Sequence, residues 1–157
     1  MEPNIGMDKK NREAVGALLN RLLSDEYLLY TKTYNYHWNI VGPMFSDLHV
    51  FFQEQYEKLQ AIVDETAERA RMMGVRAFGT MSEFLKNTRL KEEEGVVPAD
   101  MQMIKNLLAD HESVIRYVRA DIETCANKPK DPVTRHFLED VLEKQEKMAW
   151  MLRSYLQ

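Results

Sequence analysis

The chain has 157 residues, of which 45% are hydrophobic and 29% charged, as expected for a single globular domain with its own core. Its formal net charge of −4 does not suit a surface built to neutralise nucleic-acid phosphates. No apolar run approaches the roughly 20 residues of a membrane span, and the N-terminal residues lack the apolar core of a signal peptide. Cys125 is the single cysteine, so we expect a cytoplasmic protein without disulfides. Residues 1–157 are predicted to form one domain, with 1–8 as a flexible tail.

The first two predicted helices form a hairpin. Apolar residues recur at helical spacing over residues 9–41, and the pair Gly42 and Pro43 ends this segment. A second periodic segment covers residues 44–73 and ends at Gly74. We expect the inward face of the second helix to contain Phe45, Leu48, Phe52, Tyr56, Leu59, Val63 and Ala70.

A long connection, residues 75–97, follows this hairpin. Connections of that length rarely lack secondary structure in compact domains, so we predict a short helix near residues 81–86. The third long helix is predicted over residues 99–126. Its apolar face includes His111, which we interpret as a buried histidine with satisfied hydrogen bonds.

The last helix begins at Asp131 and Pro132, which are typical of an N-cap and a first-turn proline, and runs to the end of the chain. His136 in its first turns is interpreted as a surface or capping residue. Four long amphipathic helices predict an all-α four-helix bundle. The long connection is predicted to cross over, so that the second and third long helices run parallel.

Two groups of metal-binding side chains lie far apart on the second helix. Asp64 and Glu68 are four residues apart, so they share a face and can bind one ion together. His49 lies fifteen residues before Asp64, which separates the two by roughly 22 Å along the axis. Since metal–ligand bonds are roughly 2 Å long, no ion can contact both groups in one chain. Histidine nitrogen together with carboxylate oxygen suits iron, zinc or manganese.

A second copy of the chain would complete such a site. His37 lies near the end of the first helix, close to His49 across the short Gly42–Pro43 turn. Two second helices packed antiparallel about a twofold axis would bring each histidine pair to the other chain's Asp64 and Glu68.

Helical geometry supports an outward strip for these donors. At about 100° per residue, the strip occupies a face about 100° wide, centred roughly a quarter turn from the apolar face. Its members are His49, Gln53, Glu57, Gln60, Asp64 and Glu68. A solvated polar face is the common alternative for such a strip on a surface helix. No glutamate lies three residues before any histidine, so the Glu-x-x-His motif of many intrachain di-iron bundles is absent from the sequence.

The segments YNYHWNIVGPMFSDLH, DETAERARMMG and MAWMLRSYL resemble the Dps family, the mini-ferritins of starved bacterial cells. The resemblance covers nearly the whole chain. It implies a ferritin-like bundle assembled as a hollow dodecamer, with ferroxidase sites at twofold interfaces. It also implies that His37 and His49 of one subunit and Asp64 and Glu68 of its mate bind iron.

In function, the resemblance implies oxidation of Fe(II), preferably by hydrogen peroxide, with oxygen as the other oxidant, and storage of ferric mineral. Zinc is a substitute ion for the same ligands. Trp38 and Trp150 match tryptophans near the site in relatives, with a packing role at least as well supported as a redox role.

Two positions depart from the family pattern. Gln53 stands where relatives usually have Asp or Glu, so we predict a first iron bound by His37, Asp64 and Glu68 and a weaker or water-linked second position. Relatives line threefold pores with aspartates around the start of the last helix. Here Asp131 has the basic residues Lys128, Lys130 and Arg135 nearby, and His136 stands at a position that is often acidic in relatives. Glu139 and Asp140 are alternative sources of the negative field.

Two other functions stay open. One is a DNA-compacting or protective shell with weak iron chemistry, which Gln53 favours slightly but the net charge of −4 disfavours. The only clustered bases near an end are Lys9, Lys10 and Arg12, a weak patch for phosphates. The other is a metal-free helical bundle that acts as an interaction module.

Overall fold

The computed structural model describes residues 2–157, and all of the regular secondary structure in that range is helical. Met1, part of the predicted tail, lies outside the described residues. The elements in chain order are α1 (Lys9–Asn39), α2 (Phe45–Met72), α3 (Met81–Asn87), α4 (Asp100–Asn127) and α5 (Pro132–Ser154). The predicted all-α bundle with a short helix in its crossover is therefore confirmed. The predicted boundaries lie within two residues of the observed ones, except that α5 ends three residues before the C-terminus.

The helix ends follow from local chemistry. Asp131 caps α5 by accepting hydrogen bonds from the backbone N–H groups of Val133 and Thr134, and Pro132 occupies the first turn as predicted. Gly74 follows α2 with φ +76°, a left-handed conformation that glycine adopts without strain. Thr80 and Glu83 form a reciprocal capping box at the start of α3.

The core lies between two helical hairpins. Helix α1 packs against α2 and α4, and α5 packs against α4 and α2. Fully buried side chains from all four long helices fill the centre, among them Leu29, Phe52, Leu107 and Leu138. Burial of such aliphatic and aromatic side chains is the main term that holds amphipathic helices together.

Polar side chains on α1 hold the crossover near its start and just after α3. The amide of Asn20 donates to the carbonyl oxygen of Arg76 and accepts from the N–H of Phe78, both at 2.9 Å. One turn and a half later, the fully buried Asp25 accepts from the backbone N–H and the guanidinium of Arg89 at 2.6 and 2.7 Å. The crossover therefore lies along α1 and leaves the exposed face of α2 uncovered over most of its length.

The inward face of α2 differs from the prediction. Phe45, predicted to face the core, is 44% exposed, and the predicted residues Tyr56 and Val63 are only partly buried. The buried residues are Leu48, Phe51, Phe52, Gln55, Leu59, Ile62, Thr66 and Ala70. At about 100° per residue, the centre of this buried face lies about 150° from the centre of the polar strip, rather than a quarter turn away. The polar strip that begins at His49 therefore points more directly outward than the sequence indicated.

A polar network crosses the bundle core. Gln145 of α5 lies between two buried side chains, with its amide nitrogen 2.7 and 2.8 Å from the carboxylate oxygens of Glu26 and its oxygen 2.5 Å from Nδ1 of His111. Burial lowers the pKa of His111 to about 4 and raises that of Glu26 to about 8. Nε2 of His111 has no hydrogen-bond partner among residues 2–157, so the prediction of a fully satisfied histidine is half wrong.

The first described residues contact the bundle. Glu2 lies 3.2 Å from Nζ of Lys9 and 3.5 Å from the guanidinium of Arg12. Arg12 is only 6% exposed and donates to the carbonyl oxygen of Met73 at 3.2 Å.

Over residues 2–157, every helix is too short or too polar to cross a membrane.

Candidate metal centre

His37 and His49 meet at the hairpin between α1 and α2. His37 occupies the last turn of α1, and His49 lies in the second turn of α2. Gly42 adopts φ +107° in the intervening turn, which allows the chain to reverse within a few residues. The two imidazole rings stack with centroids 3.8 Å apart and an interplanar angle of 20°. The predicted proximity of the two histidines is confirmed.

Each imidazole is held by the other residue's backbone. Nδ1 of His37 lies 2.7 Å from the carbonyl oxygen of His49, and Nδ1 of His49 lies 2.9 Å from the carbonyl oxygen of His37. A carbonyl oxygen only accepts hydrogen bonds, so both Nδ1 atoms must carry the proton and donate. In the neutral imidazoles, both Nε2 atoms then keep a lone pair. This is the usual way in which a protein fixes the tautomer and orientation of metal-binding histidines.

Aromatic rings enclose the histidine pair on two sides. Phe45 stacks on His49 with centroids 5.0 Å apart, and the edge of Tyr56 meets His37 at 5.2 Å. His37 is 8% exposed, whereas His49 is half-buried. The prediction that Phe45 faces the core was therefore wrong. Its exposed position instead places an apolar ring beside the candidate ligands.

The candidate carboxylates lie elsewhere on α2. Asp64 and Glu68 are both exposed and share the outward face, roughly 22 Å or more along the helix axis from His49. Asp64 lines a groove together with Tyr27, Tyr30 and residues of the crossover. Within residues 2–157, no three histidine, cysteine, aspartate or glutamate side chains come together in a metal-binding group.

Gln53 points along the same outward face. Its amide nitrogen donates to Oε1 of Glu57 at 2.8 Å, one turn further along α2. This bond leaves the amide oxygen of Gln53 as the group able to contact an ion. A neutral amide oxygen binds a hard cation more weakly than a carboxylate at the same position would.

The start of α5 carries a different charge arrangement from the one expected. Asp131 is 3% exposed and is held by Thr134 and by the guanidinium of Arg69, so this carboxylate is not available to line a channel. These hydrogen bonds and the Arg69 charge outweigh burial and lower the pKa of Asp131. Glu139 and Asp140 are exposed, and His136 is exposed as predicted.

Sequence reasoning missed two features. The buried polar network contains Glu26 and Gln145, neither of which differs in pattern from a surface residue of an amphipathic helix. The second feature is a set of tyrosines beside the histidine pair, spaced i, i+3 and i+7 on α1 at Tyr27, Tyr30 and Tyr34. Side chains at that spacing lie on one face of a helix, so the sequence did contain the signal for this set of tyrosines.

The fold and the hairpin site define a class of protein. The ferritin-like domain pattern matches residues 16–157, and the chain therefore belongs to the ferritin-like proteins. A solved structure titled as a Dps protein from Vibrio cholerae, a member of the ferritin-like diiron-carboxylate proteins, has a TM-score of 0.92 and 31% identity, covering 99% of this chain and 97% of that one.

Within the ferritin-like proteins, the chain belongs to the Dps family. It is 32% identical over 139 residues to a DNA protection during starvation protein of Helicobacter pylori, covering 88% of this chain and 96% of that protein. It is also 43% identical over 154 residues to an uncharacterized low temperature-induced protein of Nostoc, covering 98% of this chain and 86% of that protein.

Proposed function

We propose that this chain is a ferroxidase and iron-storage mini-ferritin, which oxidises Fe(II), preferably with hydrogen peroxide, and stores the ferric product as mineral inside a dodecameric shell in the cytoplasm. The observation that carries the proposal is the reciprocal bonding of His37 and His49, which leaves two imidazole Nε2 lone pairs on adjacent rings. Oxidising Fe(II) with peroxide and storing the product removes both reactants of hydroxyl-radical formation.

The proposed site is shared between two chains. His37 and His49 of one chain supply nitrogen donors, and Asp64 and Glu68 of its mate supply carboxylates. The separation of these groups along α2 supports this division, because it is about five times the roughly 4 Å that two metal–ligand bonds to one ion can span. A twofold axis then creates two identical sites per dimer.

Each group has a distinct role in the proposed reaction. The carboxylates lower the charge of the bound iron and favour the ferric product, since Fe(III) is the harder ion. The histidines fix the position of the first Fe(II) substrate through a tautomer set by their Nδ1 bonds. Gln53 leaves the second iron position weaker or linked through water. Zinc is a substitute ion for the same ligands.

A subunit-mixing experiment tests the shared site. Neither the His49→Ala variant nor the Glu68→Ala variant should oxidise iron, because each lesion affects both sites of a homodimer. In a mixed dimer, both lesions fall in one site and the other site is intact. Random co-assembly should therefore restore about a quarter of the wild-type sites.

The measurement is Fe(II) oxidation with peroxide and with oxygen, on protein whose assembly size is known from light scattering. Mixed His49→Ala and His37→Ala subunits serve as the control, because their lesions lie on the same side of the site. If the His49→Ala and Glu68→Ala mixture stays inactive while both assemble normally, the shared site is wrong.

The names of relatives raise a second candidate, a DNA-protecting shell with weak iron chemistry. Of the bases near the N-terminus, Lys9 and Arg12 lie within ion-pair distance of Glu2, and Arg12 is also buried. This pairing weakens the case for a phosphate-binding arm. A plasmid gel-shift at low and moderate salt separates the candidates, because binding through phosphates falls steeply with salt.

A further inference from the structure

A row of tyrosine rings runs from the histidine pair along the face of α1 and α2. Tyr56 lies 5.2 Å from His37 between ring centroids, and Tyr34 packs against Tyr56 at 4.1 Å. Tyr30 follows, 5.5 Å from Tyr34 and 6.2 Å from Tyr56. Tyr27 is next, 5.9 Å from Tyr30, and it stacks on Phe84 of α3 at 4.2 Å.

The far end of this row lies beside the candidate carboxylates. Tyr27, Tyr30 and Asp64 line the same groove of about 950 Å³, which Phe84 closes from the crossover side. In the proposed dimer, the Asp64 of a chain belongs to a different site from the His37 of that chain. The tyrosine row therefore leads from one site of the dimer toward the other.

Gln53, which weakens the second iron position, creates a need for an electron donor that the tyrosine row can meet. Hydrogen peroxide takes up two electrons when it is reduced to water, whereas each Fe(II) gives one. A site that holds only one firmly bound iron must obtain the second electron elsewhere, or the peroxide splits to release a hydroxyl radical. Tyrosine is a side chain that gives one electron and one proton together, and it does so without a metal.

We propose that Tyr56, Tyr34, Tyr30 and Tyr27 form an electron relay that couples the two iron sites of a dimer. This inference rests on the proposed ferroxidase function and on peroxide as its oxidant. The relay lets the two irons of one dimer, bound at separate sites, reduce a single peroxide.

The relay transfers one electron in each of two balanced steps. At the first site Fe(II) gives one electron and a tyrosine gives the other with its phenolic proton, so Fe(II), TyrOH, H2O2 and H+ yield Fe(III), TyrO• and two H2O. The radical then moves along the row by exchange between adjacent phenols. At the second site another Fe(II) reduces it, so TyrO•, Fe(II) and H+ yield TyrOH and Fe(III). The sum is two Fe(II) oxidised for each peroxide consumed.

Two loading conditions test the relay in the assembled protein. With Fe(II) well below the number of sites, most dimers hold a single ion, and adding peroxide should produce a tyrosyl radical seen by freeze-quench electron paramagnetic resonance. Deuterated tyrosine narrows that signal and assigns it. With one Fe(II) for each chain, the radical should fall sharply, and two Fe(II) should be oxidised per peroxide.

Three variants separate the roles of the rings. Tyr30→Phe breaks the row at a single position, so the radical at low loading should persist while the Fe(II) oxidised per peroxide falls twofold at full loading. The double variant Tyr34→Phe with Tyr56→Phe should lose both the radical and the two-to-one ratio, and spin-trapped hydroxyl radical should rise. Tyr117→Phe, a half-buried tyrosine under Arg89 on α4, is the control and should behave as wild type.

The outcomes distinguish this inference from the function on which it rests. If the wild-type protein does not oxidise Fe(II) with peroxide, the proposed function fails and the relay with it. If the protein oxidises iron, shows no tyrosyl radical at low loading and keeps the two-to-one ratio in every variant, only the relay is overturned.

Discussion

Replacing Glu26 by glutamine should change how stability depends on pH. Glu26 is fully buried in the core, where burial is the largest cause of a pKa of about 8, against an ordinary value of 4.5. Between those two values the folded chain keeps a proton that the unfolded chain releases. Stability therefore falls as pH rises through this window, by about 1.4 kcal/mol for each unit.

His111 acts in the opposite direction over part of the same range. Burial lowers the pKa of His111 to about 4 from 6.5, so between these values the unfolded chain holds the extra proton and stability rises with pH. The two slopes cancel between about pH 4.5 and 6.5. The net effect of the two groups is that stability falls between about pH 6.5 and 8, by on the order of 2 kcal/mol per chain.

The Gln145 amide can serve either charge state of Glu26. Its nitrogen donates to an ionised Glu26 carboxylate, and a half-turn of the amide presents its oxygen to a protonated carboxyl instead. His111 lies on the other side of the same amide and can match either orientation by its choice of tautomer. The network therefore needs no rearrangement of the helices when Glu26 titrates.

The assay is thermal unfolding of iron-free protein across pH 6.5 to 8. A change of about 2 kcal/mol corresponds to a midpoint shift of about 4–8 °C for a chain of this length. The Glu26→Gln variant should lose that shift, while Glu123→Gln, which replaces an exposed glutamate on α4, should keep it. An equal slope in wild type and Glu26→Gln would refute the reasoning.

Three further predictions concern other parts of the molecule. Gln53→Glu should strengthen the second metal position, seen as tighter binding of a second Co²⁺ per site in calorimetric titration; unchanged binding contradicts the weak-site proposal. Asp25→Asn should lower the free energy of unfolding in denaturant by about 3–5 kcal/mol, because it removes one partner of a buried ion pair with Arg89. A loss below about 1 kcal/mol would contradict the role of this pair in holding the crossover against α1. Gly16→Ala should destabilise by about 1–3 kcal/mol, because its added Cβ would lie 2.4 Å from Cγ2 and 2.6 Å from Cβ of Val75, and adding Val75→Gly, which removes both of those atoms, should restore part of the lost stability.

The sequence alone determined the helical framework and the division of the candidate ligands. Helix periodicity and caps are local, so the pattern around Gly42, Gly74 and Asp131 placed the ends of the long helices closely. The fixed rise per residue of a helix also separates His49 from Asp64 whatever the rest of the fold does. These statements needed no knowledge of which helix packs on which.

Only the tertiary structure decided which side chains face one another. The pattern of α2 is broad enough to allow Phe45 either inside or outside, and contacts with α1 and α5 selected Gln55 for burial instead. The reciprocal bonds of His37 and His49 depend on how two helix ends meet across a turn, which no spacing encodes. The same holds for Glu26, whose polar partner lies on a helix more than a hundred residues away in the chain, because long-range pairing is set by packing and not by local periodicity.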